Sequence, residues 1–216
     1  MNERNLTYRL EQCYTGVVYD AMREQGLRDC ILPAQVSALL PERRLAGPAF
    51  TVSGHRCDLS ERETLLAWTG MLSAVPEGAV LVMQPNDDVQ AYLGELSAET
   101  LNFRGVRGCV IDGYTRDSGF ITRLGFRMFC RGTVPRDIVS TWIPEELGKS
   151  VQIGNATINT GDFIVGDCDG VVVIPRDRAE AITERAETFL TTENNVRKAI
   201  LQGMDPQKAY MEYGKF

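Results

Sequence analysis

Apolar positions along this chain fall into two rhythms. Short continuous runs, VLVM within PEGAVLVMQ (76–84), CVI within VRGCVIDG (106–113) and MFC within FRMFCRG (126–132), lie beside glycine turns and predict buried strands. RRLAGPAFTVSG (43–54) predicts another, with Pro48 marking an edge or bend. Helical spacing alternates with them. TGVVYDAMREQG (15–26) predicts a helix with Thr15 as N-cap, Val17, Val18, Ala21 and Met22 as its stripe, and Gly26 as its stop. In DLSERETLLAWTGML (58–72), Ser60 and Glu63 form a capping box, and Leu65, Leu66, Trp68 and Leu72 are expected to face inward. GELSAETLNFRG (94–105) predicts a helix whose first turn runs from Gly94 to Ser97.

From Val151 to Pro175 the texture changes to short strands at hairpin spacing, with Asp167, Asp169 and Gly170 serving turn geometry. A long helix is expected from about Asp177, capped by Asp177 with Glu180, turning Ile182, Ala186, Phe189, Val196 and Ile200 inward. Strands alternating with helices, then a β-rich stretch, predict a layered α/β fold. No linker or repeat interrupts the pattern, so residues 1–216 are expected to form a single domain.

Composition narrows the function. A net charge of −6 with no basic stripe argues against a nucleic-acid partner. No apolar run approaches the ~20 residues of a membrane span, and the polar start MNERNLTYRLEQ does not suit a secretory signal. Six cysteines without C-x-x-C spacing fit a reducing cytoplasm better than a zinc or disulfide framework.

Candidate nucleophiles are few. His55 is the only histidine, and no G-x-S-x-G elbow accompanies it. The four lysines, Lys149, Lys198, Lys208 and Lys215, lie in polar surroundings and none is expected to be buried, as an imine-forming lysine must be. What remains is Glu95, Arg116 and Asp117. In a strand–helix–strand unit GELS and YTRD would emerge at one sheet edge. There a helix N-terminus and an arginine fork suit a carboxylate, and acidic side chains suit Mg²⁺. Locally, a solvated Arg–Asp loop reads the same way.

Several stretches resemble the RraA-like family: RLAGPAFTV, the GEL turn, GVRGCVIDGYTRD, RGTVPRD and GDFIVGDCDGVVVIP, together with YDAM in the first helix and the closing GMDPQKAYMEYGKF. The resemblance implies an RraA-like fold with a swivelling β/β/α core and a long C-terminal helix, assembled as a homotrimer or homohexamer. It also implies one of two functions. The first is a divalent-metal-dependent aldolase, using Mg²⁺ or Mn²⁺. Such enzymes cleave a pyruvyl dicarboxylate or tricarboxylate such as 4-hydroxy-4-methyl-2-oxoglutarate or 4-carboxy-4-hydroxy-2-oxoadipate, with oxaloacetate decarboxylase activity. The second is a non-catalytic regulator that binds ribonuclease E. Arg116 matches the arginine that holds the pyruvyl group, and Asp117 the metal ligand. Glu95 matches an acid, usually aspartate, that orients water on the metal. Gly94, Glu95, Leu96 and Ser97 match the turn whose amides grip the pyruvyl carboxylate. Where the family commonly carries a further acid just after the Arg–Asp pair, this chain has SGFI.

Overall fold

The computed structural model describes residues 2–216, opening with helices α1 (Glu3–Gln12) and α2 (Thr15–Glu24). The expected stripe Val17, Val18, Ala21 and Met22 is buried, and Gly26 takes a left-handed φ of 80° beyond the helix end. Thr15 is not the N-cap. Tyr14 holds that position, and Thr15 is the first helical residue. Its N–H and its Oγ1 donate to the two carboxylate oxygens of Asp167, at 2.8 and 2.7 Å. The cap therefore comes from a distant hairpin, and an anion at a helix N-terminus is favoured by both the free amides and the dipole. Thr15→Val keeps the volume and the amide bond but removes one bond to a buried carboxylate. It is expected to cost roughly 1.5–3 kcal/mol in urea unfolding, and an unchanged midpoint would show that Asp167 does not depend on the hydroxyl.

The chain continues through β1 (Ser37–Ala38), β2 (Leu45–Arg56), α3 (Glu61–Ala74), β3 (Val80–Gln84), β4 (Ala91–Leu93), α4 (Glu95–Phe103), β5 (Gly108–Ile111) and β6 (Tyr114–Thr115). It then passes through α5 (Ser118–Leu124), β7 (Arg127–Cys130), β8 (Gly132–Thr133) and β9 (Trp142–Leu147). Two hairpins follow, β10 (Val151–Ile153) with β11 (Ala156–Ile158) and β12 (Phe163–Asp167) with β13 (Gly170–Ile174), then α6 (Ala179–Leu201) and α7 (Pro206–Tyr213).

The main sheet has eight strands in the order β1-β7-β5-β3-β2-β12-β13, with β9 also paired to β2. Its β2-β3-β5-β7 portion is parallel, and the remaining ladders are antiparallel. Ile31 bridges Val172 on β13 while β1 pairs with β7, so one short segment nearly closes the sheet into a barrel. Period-2 alternation then sorts the apolar runs, since successive strand side chains point to opposite faces. Val80, Val82, Val110 and Phe129 pack in one cluster with the β10–β11 hairpin. Leu81, Met83, Cys109, Ile111 and Met128 pack in another, with residues of α3, α4 and α5. On a third side α1, α2 and α6 cover β12 and β13. The α/β layering and the long C-terminal helix are as expected.

A second, three-stranded sheet positions the site. Strands β4, β6 and β8 pair in parallel with β6 in the middle. Only Asp112 and Gly113 separate β5 from β6, and only Arg131 separates β7 from β8. The small sheet thus extends the carboxyl ends of the main parallel strands.

Three local expectations change. Pro48 lies in a central strand, at the last rung with β12 and one residue before pairing with β3 begins, where a missing N–H is tolerated. Leu65 and Leu66 are exposed, at 39% and 61%, and α3 instead buries Thr64, Trp68, Met71 and Leu72. Asp177 falls in a 3₁₀ turn (Arg176–Arg178) and does not cap α6, whose N-cap residue is Arg178. Lys215 has a side chain only 14% exposed, paired with Asp20 and Glu193 and lying 4.2 Å from the Phe189 ring centroid. It fastens the C-terminal tail to α2 and α6. Among the described residues no helix is long and apolar enough to cross a membrane.

Candidate active site

Strands β4 and β6 end side by side, so the two segments singled out in the sequence meet at one sheet edge. The Arg116 N–H and the Thr115 hydroxyl both donate to the Leu93 carbonyl, at 3.0 and 2.7 Å, which fixes YTRD against the start of α4. Asp117 adopts the left-handed region (φ 55°, ψ 32°), a conformation Asp and Asn tolerate better than most residues. That turn aims its carboxylate back at α4, where Oδ2 accepts the Glu95 N–H at 3.1 Å. Gly94 makes the approach possible, because a Cβ there would lie 2.5 Å from Asp117 Oδ2 and 3.2 Å from Arg116 Cγ.

Arg116 is held between two carboxylates. Its Nε lies 3.5 Å from Asp117 Oδ2, and its Nη1 donates to Asp137 Oδ2 at 3.0 Å. Asp137 is steadied in turn by accepting the Val139 N–H on Oδ1 at 3.2 Å. Sequence reasoning did not single out Asp137. Its one signal was its place at the end of RGTVPRD, because its link to Arg116 spans 21 residues and is purely tertiary.

These residues line a cleft of about 450 Å³ that includes Gly94, Glu95, Leu96, Ser97, Arg116 and Asp117, floored by Trp68, Tyr92 and Leu93. The volume suits a small ligand. On its wall the first turn of α4 offers amides that have no intrahelical partner. Trp68 Nε1 donates to Ser97 Oγ at 3.0 Å. An indole N–H can only donate, so the serine hydroxyl keeps its own proton to give. None of the four lysines lines this cleft.

Other candidates fall away on geometry. Asp167, Cys168 and Asp169 bring ligand atoms within 4.8 Å of one another. However, Asp167 already accepts from Thr15 twice and from the Asp169 N–H, which is the work of a turn and a cap. His55, next to last in β2, has Nδ1 2.9 Å from Glu145, as expected for a histidine near a strand end. Burial pushes the Cys13 and Cys30 thiols up to about 11, away from the thiolate a nucleophile needs.

The RraA-like family model, described as Aldolase/RraA, matches residues 15–173. A Halalkalibacterium halodurans protein provisionally named 4-hydroxy-4-methyl-2-oxoglutarate aldolase is 28% identical over 198 residues, 92% of this chain and 90% of its own. The crystal structure of an uncharacterized Pseudomonas syringae protein superposes with a TM-score of 0.88 at 26% identity, over 97% of this chain and 94% of its own. That of Streptomyces coelicolor RraAS2, described as an unusual member of the RNase ES inhibitor RraA family, gives 0.81 at 28% identity, over 90% of this chain and 97% of its own.

Proposed function

The chain belongs to the RraA-like family, and on that premise we propose that it is a divalent-metal-dependent carbon–carbon lyase that releases pyruvate from a 4-hydroxy-2-oxo acid. Substrates of the 4-hydroxy-4-methyl-2-oxoglutarate or 4-carboxy-4-hydroxy-2-oxoadipate type fit this reading, and oxaloacetate would be decarboxylated at the same site. The observation that carries it is the convergence, in one cleft, of an arginine fork, the unpartnered amides of α4 and the Asp117 carboxylate.

The donor set suits Mg²⁺ or Mn²⁺. Asp117 engages Glu95 and Arg116 through Oδ2, leaving Oδ1 outside those contacts, and Glu95 lines the same cleft. A hard cation of this kind takes one or two carboxylates and keeps several waters. Asp117 would hold the ion, with Glu95 orienting its waters. Once bound, the ion supplies Lewis acidity to the 2-oxo acid.

The chain's own residues do the rest. The Leu96 and Ser97 amides, at the positive end of α4, bind the substrate's C1 carboxylate. Arg116, kept in place by Asp137, grips the pyruvyl group and meets the negative charge that gathers on the keto oxygen. Glu95 takes the proton of the C4 hydroxyl through a water. The C3–C4 bond then breaks, C4 becomes a carbonyl, and its electron pair passes to the pyruvate enolate, which is protonated at C3. Loss of CO₂ from oxaloacetate leaves the same enolate, so one constellation serves both reactions.

We place this activity in a single cytoplasmic domain that acts on small anions and assembles as a trimer or hexamer, with no nucleic-acid or membrane partner. The likeness to RraAS2 favours a second reading, a protein-binding regulator on the same fold. Oxaloacetate turnover separates the two. EDTA is expected to silence it, Mg²⁺ or Mn²⁺ to restore it, and borohydride with pyruvate to trap no adduct. Turnover indifferent to EDTA, or a pyruvyl-lysine adduct, would sink the metal mechanism, and no turnover of any pyruvyl substrate would favour the regulator.

A further inference from the structure

Three parallel strands make two crevices at their carboxyl ends, and only the one between β4 and β6 has a role so far. The other, between β6 and β8, is a hollow of about 460 Å³ that shares Arg116 and Asp117 with the first. Its remaining walls include Ser118 and Phe120 of α5, Thr133 of β8, and Arg123. The two crevices are thus neighbours on either side of one Arg–Asp pair.

Arg123 is the unusual group there. Its guanidinium carbon lies 4.4 Å from the Phe120 ring centroid, and a Cβ on Gly119 would come within 3.6 Å of Nη1. The exposed fork is therefore folded back along α5 toward Asp117 and lies over the half-exposed Phe120 ring. Among the described residues it pairs with no carboxylate. By contrast, Arg116 is engaged by Asp117 and Asp137, and Arg131 by Asp112. Glu95 and Glu99 border the smaller adjoining hollow that Arg123 also lines, but neither reaches it within ion-pair distance. A guanidinium held in place without a counter-charge, at the lip of a polar hollow, presents donors for an anion.

Six residues at about 1.5 Å rise put the Arg123 Cα roughly 9 Å along α5 from Asp117, and the fold-back brings the fork nearer. An acid whose 2-oxo end sits against Arg116 would reach this hollow with a carboxylate two or three carbons further on. We infer that the β6–β8 crevice is the subsite for the distal carboxylate of a 2-oxo diacid, read by Arg123 with the Ser118 and Thr133 hydroxyls as neutral donors. This rests on the pyruvyl reading of the β4–β6 cleft and adds to it the place and the residue that read the far end of the diacid.

The test compares binding of pyruvate with that of 2-oxoglutarate and 2-oxoadipate, diacids that lack the 4-hydroxyl and are not cleaved. Each is titrated calorimetrically into the full chain with Mg²⁺ present. Wild type is expected to bind the better diacid on the order of tenfold or more tighter than pyruvate, the size of one charge-assisted contact. Arg123→Met keeps an aliphatic contact on Phe120 without the charge. It is expected to lose that preference while its pyruvate affinity stays within about twofold. Equal affinities in wild type, or a preference that survives in Arg123→Met, would overturn the assignment. If neither pyruvate nor a diacid binds, the pyruvyl reading fails and the distal subsite fails with it.

Discussion

Asp117→Asn is expected to lower metal-dependent turnover by about 10³-fold, because a Lewis-acid contact is worth several kcal/mol at the transition state. Asparagine is the informative replacement. Position 117 takes a positive φ of 55° and its Oδ2 accepts the Glu95 N–H. Asparagine tolerates that backbone and its carbonyl oxygen can still accept the bond, whereas alanine would add strain in the left-handed region. The variant therefore loses the charge while keeping the turn. Turnover and thermal unfolding are to be measured together, and a nearly unchanged midpoint is expected. Near-normal activity at saturating Mg²⁺ would remove Asp117 from the metal-binding role.

What the sequence made legible was whatever local pattern determines. The Ser60–Glu63 capping box is present with both reciprocal bonds, because both partners lie within one turn. The continuous runs VLVM and CVI do form buried strands, while the assignment of alternate residues to two core faces came only with the fold. The emergence of Glu95 and Arg116 at one edge followed from strand–helix–strand order, and β4 and β6 do pair in parallel. The misreadings have tertiary causes. Thr15 looks like an N-cap until Asp167, 152 residues away, supplies the cap instead. Leu65 and Leu66 are expected to face inward on their apolar character alone, yet both are exposed. Thr64 is fully buried instead, its hydroxyl donating to the Ser60 and Glu61 carbonyls and accepting the Ser140 N–H. Asp137 and Arg123 were illegible for the same reason. One is marked by its contact with Arg116 and the other by having no carboxylate partner among the described residues, and neither property belongs to a local window.

Arg116→Lys asks whether charge or geometry matters at the centre of the site. In the wild type one guanidinium faces Asp117 through Nε and Asp137 through Nη1, and it still presents a planar fork to the cleft. A lysine ammonium is a compact point charge without that fixed planar geometry, so it cannot reproduce both tethers and a bidentate grip together. If Arg116 only attracts anions, the swap should cost little, and turnover should keep its dependence on ionic strength. If it grips the pyruvyl group and meets the enolate oxygen as charge develops, the loss falls on kcat. Removing one such positioned donor costs on the order of 10²–10³-fold. The larger loss is expected, with the Mg²⁺ concentration for half-maximal turnover nearly unchanged because Asp117 remains in place. Equal kcat for the lysine variant and wild type would refute the assigned role. A shift in Mg²⁺ dependence without a fall in kcat would instead mean that Arg116 acts through Asp117, as a positioning residue for the metal ligand.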